Sequence, residues 1–198
     1  MPKKVNRSSE RLLAEVLATD DLACKLLGMQ LQVETTALTI FQASREARFC
    51  PVLADLLVYF EKDEARHVDL GSQILPVMMR KMSRLEGARL SAFALKVTFW
   101  LLASNHAMEP SLRALGIDPR RTLQLAKSKQ MIVFEELWQA SPQKSGVSDL
   151  IVRVMEAIAN GVWPPPGENT LTGRSRAFAR ALFNDGVERV ETSIQPDA

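Results

Sequence analysis

The sequence has few of the residues from which sites are commonly built. It holds two histidines, His67 and His106, two cysteines, Cys24 and Cys50, and one tyrosine, Tyr59. The cysteines fall at opposite ends of one expected helix, roughly 39 Å apart at about 1.5 Å of rise per residue, which excludes a disulfide between them. No C-x-x-C, Gly-rich phosphate loop or nucleophile triad is present. No apolar run is as long as a membrane span and no signal peptide precedes the first charged helix, so no membrane partner is expected and cytoplasm is the expected location. Net charge is only +2, which gives no global signal for nucleic acid, and Lys3, Lys4 and Arg7 read as a short solvated tail. β-branched alternation is almost missing, and Gly and Pro fall between long periodic segments. That leaves helices.

What is present is globular: 46% hydrophobic against 24% charged residues, enough in 198 residues for one packed domain over 1–198. A short amphipathic helix is expected at 8–18. Thr19 or Asp20 can cap a long helix running to about Arg48. Pro51 opens a second, to about Met82, with Pro76 a candidate kink. Ser83-Arg84-Leu85-Glu86 is a capping box for a third, which runs toward Gly116 with Pro110 near its end. Asp118-Pro119 starts a fourth, to about Ala140. A shorter helix at 147–160, an extended Trp163–Gly167 stretch, a last helix at about 174–183 and a loose tail from Thr192 complete the chain. The expectation is an all-α antiparallel four-helix bundle over about 20–140, with residues 141–198 as a helical cover and tail.

Three polar residues interrupt the apolar faces. Glu64 and His67 form an E-x-x-H, which on a helix places carboxylate and imidazole on one face, with Leu57 and Phe60 before and Val68 and Gly71 after. On the first long helix, Glu34 lies in the stripe of Leu27, Leu31, Leu38 and Phe41. Glu34 and Glu64 are about equally far from the turn near Cys50, so an antiparallel hairpin brings Glu34, Glu64 and His67 level. Carboxylates among apolar residues need a partner, and a metal ion is one. Two carboxylates and an imidazole suit iron, manganese or zinc. A solvated helical face is the plain alternative.

The segments V-E-T-T-A-L-T-I-F around Glu34 and F-E-K-D-E-A-R-H-V-D-L-G around Glu64 resemble the first half of a ferritin-like di-iron carboxylate protein, over roughly residues 22–82. The resemblance implies a ferritin-like bundle with Glu34, Glu64 and His67 as metal ligands, either glutamate being able to bridge. Members include oxidases, hydroxylases, N-oxygenases and iron stores, so the fold does not name the reaction.

The second half departs from that pattern. With two histidines in the chain, a second E-x-x-H cannot exist. Turn counting puts Asn105 and His106, with Glu109 a turn on, at the expected level of the third helix. On the fourth, Lys127 and Gln130 stand in the stripe of Leu123, Phe134 and Leu137, about where E-x-x-H would be. Three states follow: one metal on Glu34, Glu64 and His67; a metal-free salt bridge with Lys127 facing Glu34 or Glu64; or a two-metal site completed by His106 and Glu109.

Tyr59, five before Glu64, is a candidate redox neighbour of a metal; a half-buried tyrosine with its hydroxyl at the surface is the plainer reading. Trp100, Trp138 and Trp163 read as core, and Arg66 as a surface residue. The C-terminal cover is expected to pack Ile151, Val154, Ile158, Phe178 and Leu182 on the bundle and to take no part in the central site. The functional expectation is a metal-binding protein, an iron-dependent oxidase or oxygenase of a small molecule. The alternative is a non-catalytic bundle with a decayed, metal-free site serving a partner or an apolar ligand. Iron storage ranks third. A homodimer is compatible with either.

Overall fold

The computed structural model describes residues 5–139 and 147–183, with positions 192 and 194. Helix α1 (Arg7–Ala18) begins at Asn6, whose side chain accepts from Ser9 N at 2.8 Å. A long rod follows, made of α2 (Leu22–Lys25), a π-helical stretch (Leu26–Val33) and α3 (Glu34–Ala47). Asp21 caps it, accepting from Ala23 N and Cys24 N, where Thr19 or Asp20 was expected. Asp21 has the extended backbone that a capping residue needs. The rod ends at Arg48 in the left-handed region, φ 48°.

Helix α4 (Pro51–Met79) starts on its proline and continues through Pro76. Helix α5 (Arg84–Ala114) has the expected capping box at Ser83 and Glu86, passes through Pro110, and ends before Gly116 at φ 75°. Then come α6 (Pro119–Gln139), α7 (Val147–Val162) and α8 (Leu171–Phe183). Helix α7 runs two residues beyond Asn160, through Gly161, and α8 starts three residues before Arg174. The expected tail from Thr192 lies almost wholly outside the described residues, as do the side chains of Trp138 and Ile151.

The rod and α4 run antiparallel: Arg45 meets Glu61, while Glu34 meets His67. Helix α6 also descends beside the rod, with Arg121 at Glu46 and Gln130 at Thr36. Helix α5 ascends with it, since Phe93 packs on Gly28 and Thr98 bonds Gln32 further along. The connections at 48–50, 80–83 and 115–118 are all short. The described residues are all-helical, as expected.

The core gathers Leu27, Leu31, Leu38, Val68, Leu75 and Phe134, all buried, each contributing about 1.5–3 kcal/mol on leaving water. Helix α7 lies against α5 and α6, and α8 packs on α7. Met155, Ala157 and Ala181 are buried there, and Ile158 packs on the main core, but Phe178 is 40% exposed.

Candidate metal centre

Glu34 opens α3 directly after the π-helical stretch. Mid-helix π geometry offsets the side chains that follow it and recurs at functional positions. Opposite, Gly71 lets α4 approach closely: a Cβ there would stand 2.9 Å from Leu31 Cδ2 and 3.0 Å from Gln30 Cβ. The hairpin is therefore tight at this level, and it brings the three expected residues together. His67 Nδ1 lies 3.7 Å from Glu34 Oε1 and 3.7 Å from Glu64 Oε2. One donor atom from each of the three lies within 4.8 Å of the others, the one such group among the described residues.

Burial is graded across the site. Side-chain exposure is 15% for Glu34, 26% for Glu64 and 56% for His67. Burial, then the neighbouring Glu64 carboxylate, pushes the Glu34 carboxyl up to about 7, against the pull of His67. Its Oε2 atom is buried with no hydrogen-bond partner. A buried carboxylate oxygen without a donor is costly, and a cation or a proton satisfies it. The donor set fits a metal on chemistry and on this orphaned oxygen. The imidazole was expected among apolar residues; instead it forms the open rim, because Phe60, its expected neighbour, is 46% exposed.

No protein-family model, curated protein or solved structure matches this chain.

The second-half residues go elsewhere. Lys127 is buried and paired with Glu156 of α7, not with Glu34 or Glu64. The face of α6 that carries Lys127 is covered by α7, and the ammonium takes the carboxylate that arrives with it. Gln130 is buried level with the site, but its amide donates to Gln32 O and Thr36 Oγ1 on the other flank of the rod. His106 and Glu109 form a separate cluster. Their side chains are 3.4 Å apart, Trp163 Nε1 donates to Glu109 Oε2, and His106 meets the Trp163 ring edge-on. A hydrogen bond from Arg113 holds the Glu109 carboxyl below its ordinary value. The level of α5 nearest the rod is Ala94–Thr98, one to two turns before the counted position, since Gln32 bonds Ala94 O and Thr98 Oγ1. Tyr59 is 70% exposed on the outer face of α4, which removes it as a neighbour of the site. Arg66 is a surface residue, as expected, bonded to Asp63 at 3.0 Å.

Two ion pairs were missed. Glu61 is buried against Arg45, 3.0 Å apart, and this occupies the nearest arginine of the rod. Its signal was its place four after Leu57 and seven before Val68. Glu156 stands four after Val152 and seven before Trp163, in the buried stripe of α7, and a buried Lys127 called for such a carboxylate.

Proposed function

We propose that the chain is a metal-binding helical-bundle protein that holds one divalent metal on Glu34, Glu64 and His67 and serves oxygen chemistry on a small molecule. The single observation that carries this reading is the buried, unpartnered Oε2 of Glu34, set beside two further donors. Of the three states considered, the salt bridge needs Lys127, which is spent on Glu156, and the two-metal site needs His106 and Glu109, which are spent around Trp163. Between a proton and a metal on the orphaned Glu34 oxygen, the two neighbouring donors favour the metal. Two carboxylates and an imidazole suit iron, manganese or zinc alike; iron is the metal that would supply both Lewis-acid and redox chemistry there.

The chain's own residues set the rest. Glu34 brings the most buried oxygen and must lose its proton to serve as a ligand. His67 lies on the solvent side, where a small molecule can approach. The hairpin resembles the ferritin-like pattern in sequence, and the reading rests on the hairpin rather than on the bundle's topology. Dioxygen uptake by the iron-loaded protein tests it. The parent should consume dioxygen and Glu34→Gln should not; equal uptake by both would place the chemistry elsewhere.

A further inference from the structure

Helix α4 carries large apolar residues on two faces. Its inner face buries Leu57, Val68 and Leu75 in the bundle, while its outer face exposes Val52 by 77%, Tyr59 by 70%, Leu70 by 46% and Val77 by 48%. A surface helix ordinarily carries polar residues outward; here large apolar residues stand among the outward Asp55, Lys62, Asp63, Arg66, Asp69 and Gln73. The outer positions follow a strict alternation of four and three residues from Val52 through Leu56, Tyr59, Asp63, Arg66, Leu70 and Gln73 to Val77. That is the spacing of a coiled-coil seam, sustained over most of a 29-residue helix.

The seam is also palindromic. Turned about a two-fold axis at the level of Glu64 and Ala65, Val52 falls opposite Val77, Leu56 opposite Gln73, Tyr59 opposite Leu70, and Asp63 opposite Arg66. The one charged layer is thus complementary to itself, with Asp63 and Arg66 both largely exposed. An isologous contact needs self-complementarity of a single surface; the Val52–Val77, Tyr59–Leu70 and Asp63–Arg66 layers meet it, while Leu56 faces Gln73. With ordinary side-chain areas, the exposed apolar residues of this face amount to roughly 600 Å², in two clusters either side of Asp63 and Arg66, against the ~800 Å² per partner of a standard interface.

We propose that α4 pairs with α4 of a second copy of this chain, antiparallel, through the seam from Val52 to Val77 with Asp63 and Arg66 crossing at its centre. His67 lies at the edge of this seam, so each metal centre would sit beside the junction. The inference does not depend on the metal.

Sedimentation equilibrium of the full chain tests it, and a dimer is expected. Arg66→Asp places four like charges at the centre and should give a monomer of unchanged helical content. Adding Asp63→Arg to that variant exchanges the charges in both copies and should restore the dimer. In a Cys50→Ser background, Val52→Cys with Val77→Cys should yield a disulfide-linked dimer, and neither substitution alone should. A parent that stays monomeric at the highest measurable concentration would overturn the proposal. So would a dimer indifferent to Arg66→Asp, or cross-linking by Val52→Cys alone, which would mean parallel pairing.

Discussion

A carboxyl held at about 7 by burial and by the adjacent Glu64 carboxylate gives Glu34 a pH dependence of defined sign. Its ordinary value is 4.5, so on raising the pH the unfolded chain ionises first and the folded one later. The contribution of Glu34 to the metal-free protein is therefore most favourable below about 4.5, declines between about 4.5 and about 7, and is level above. Denaturant midpoints of the metal-free parent and of Glu34→Gln should diverge over that interval, with the variant the more stable at pH 8. Metal affinity should show the opposite slope and strengthen up to about pH 7, because the metal displaces the Glu34 proton. Lys127 is the other residue with a sharp expectation. Lys127→Met strands a buried Glu156 and should cost about 3–5 kcal/mol in a melting or denaturant curve. Lys127→Met with Glu156→Met should recover most of it, and a double variant as weak as the single one would argue against the pairing. At Cys24, burial and Asp21 push the thiol up to about 11, while Cys50 is exposed, so iodoacetamide should label Cys50 alone in the folded protein. Labelling of both at equal rates would contradict the burial. At this scale the sequence was most legible where a polar residue broke a stripe: Glu34, Glu64, Lys127 and Gln130 were all found that way. It did not show which neighbour each would take, because that depends on which helix covers which face. Lys127 was matched to the wrong carboxylate for that reason.

The starts of α4, α5 and α6 were readable because each has a local chemical cause: proline at the first turn of α4 and α6, and a Ser83–Glu86 capping box for α5. The π-helical stretch was not readable. Leu26–Val33 has no local signature for it, and its surroundings are tertiary, with Phe93 and Val16 packed on Gly28. The position of α5 was misjudged by one to two turns for a similar reason, since its contacts with the rod and α1 are set by packing and not by counting from a turn. Gly71 is the element-scale test. Gly71→Ala would put a methyl against Leu31 and Gln30, forcing α4 away from the rod. Overpacking of this kind costs about 1–3 kcal/mol, and the same shift should weaken metal binding by separating Glu34 from Glu64 and His67. A variant with parental stability and affinity would mean that the close approach is not needed.

As a molecule, the chain is a short-looped helical bundle with a C-terminal helical cover, and the cover has a role that composition alone concealed. It completes the Lys127 pair through Glu156, and Arg120 donates to Trp163 O. Truncation at about residue 145 should therefore destabilise the bundle through an unpaired buried lysine as well as through exposed apolar surface, while leaving Glu34, Glu64 and His67 in place. Among the described residues no helix is long and apolar enough to cross a membrane. The first hairpin was legible because antiparallel geometry makes level positions predictable from their distance to one turn. The later helices were less legible, because their levels are not fixed by distance from one turn but by packing. The central claim, that Glu34, Glu64 and His67 hold one metal, is tested most directly by the metal content of the protein expressed in iron-, manganese- and zinc-replete medium and purified without chelator. About one metal per chain is expected in the parent and close to none in Glu34→Gln; a folded parent carrying no metal, or a Glu34→Gln variant carrying as much as the parent, would rule the site out.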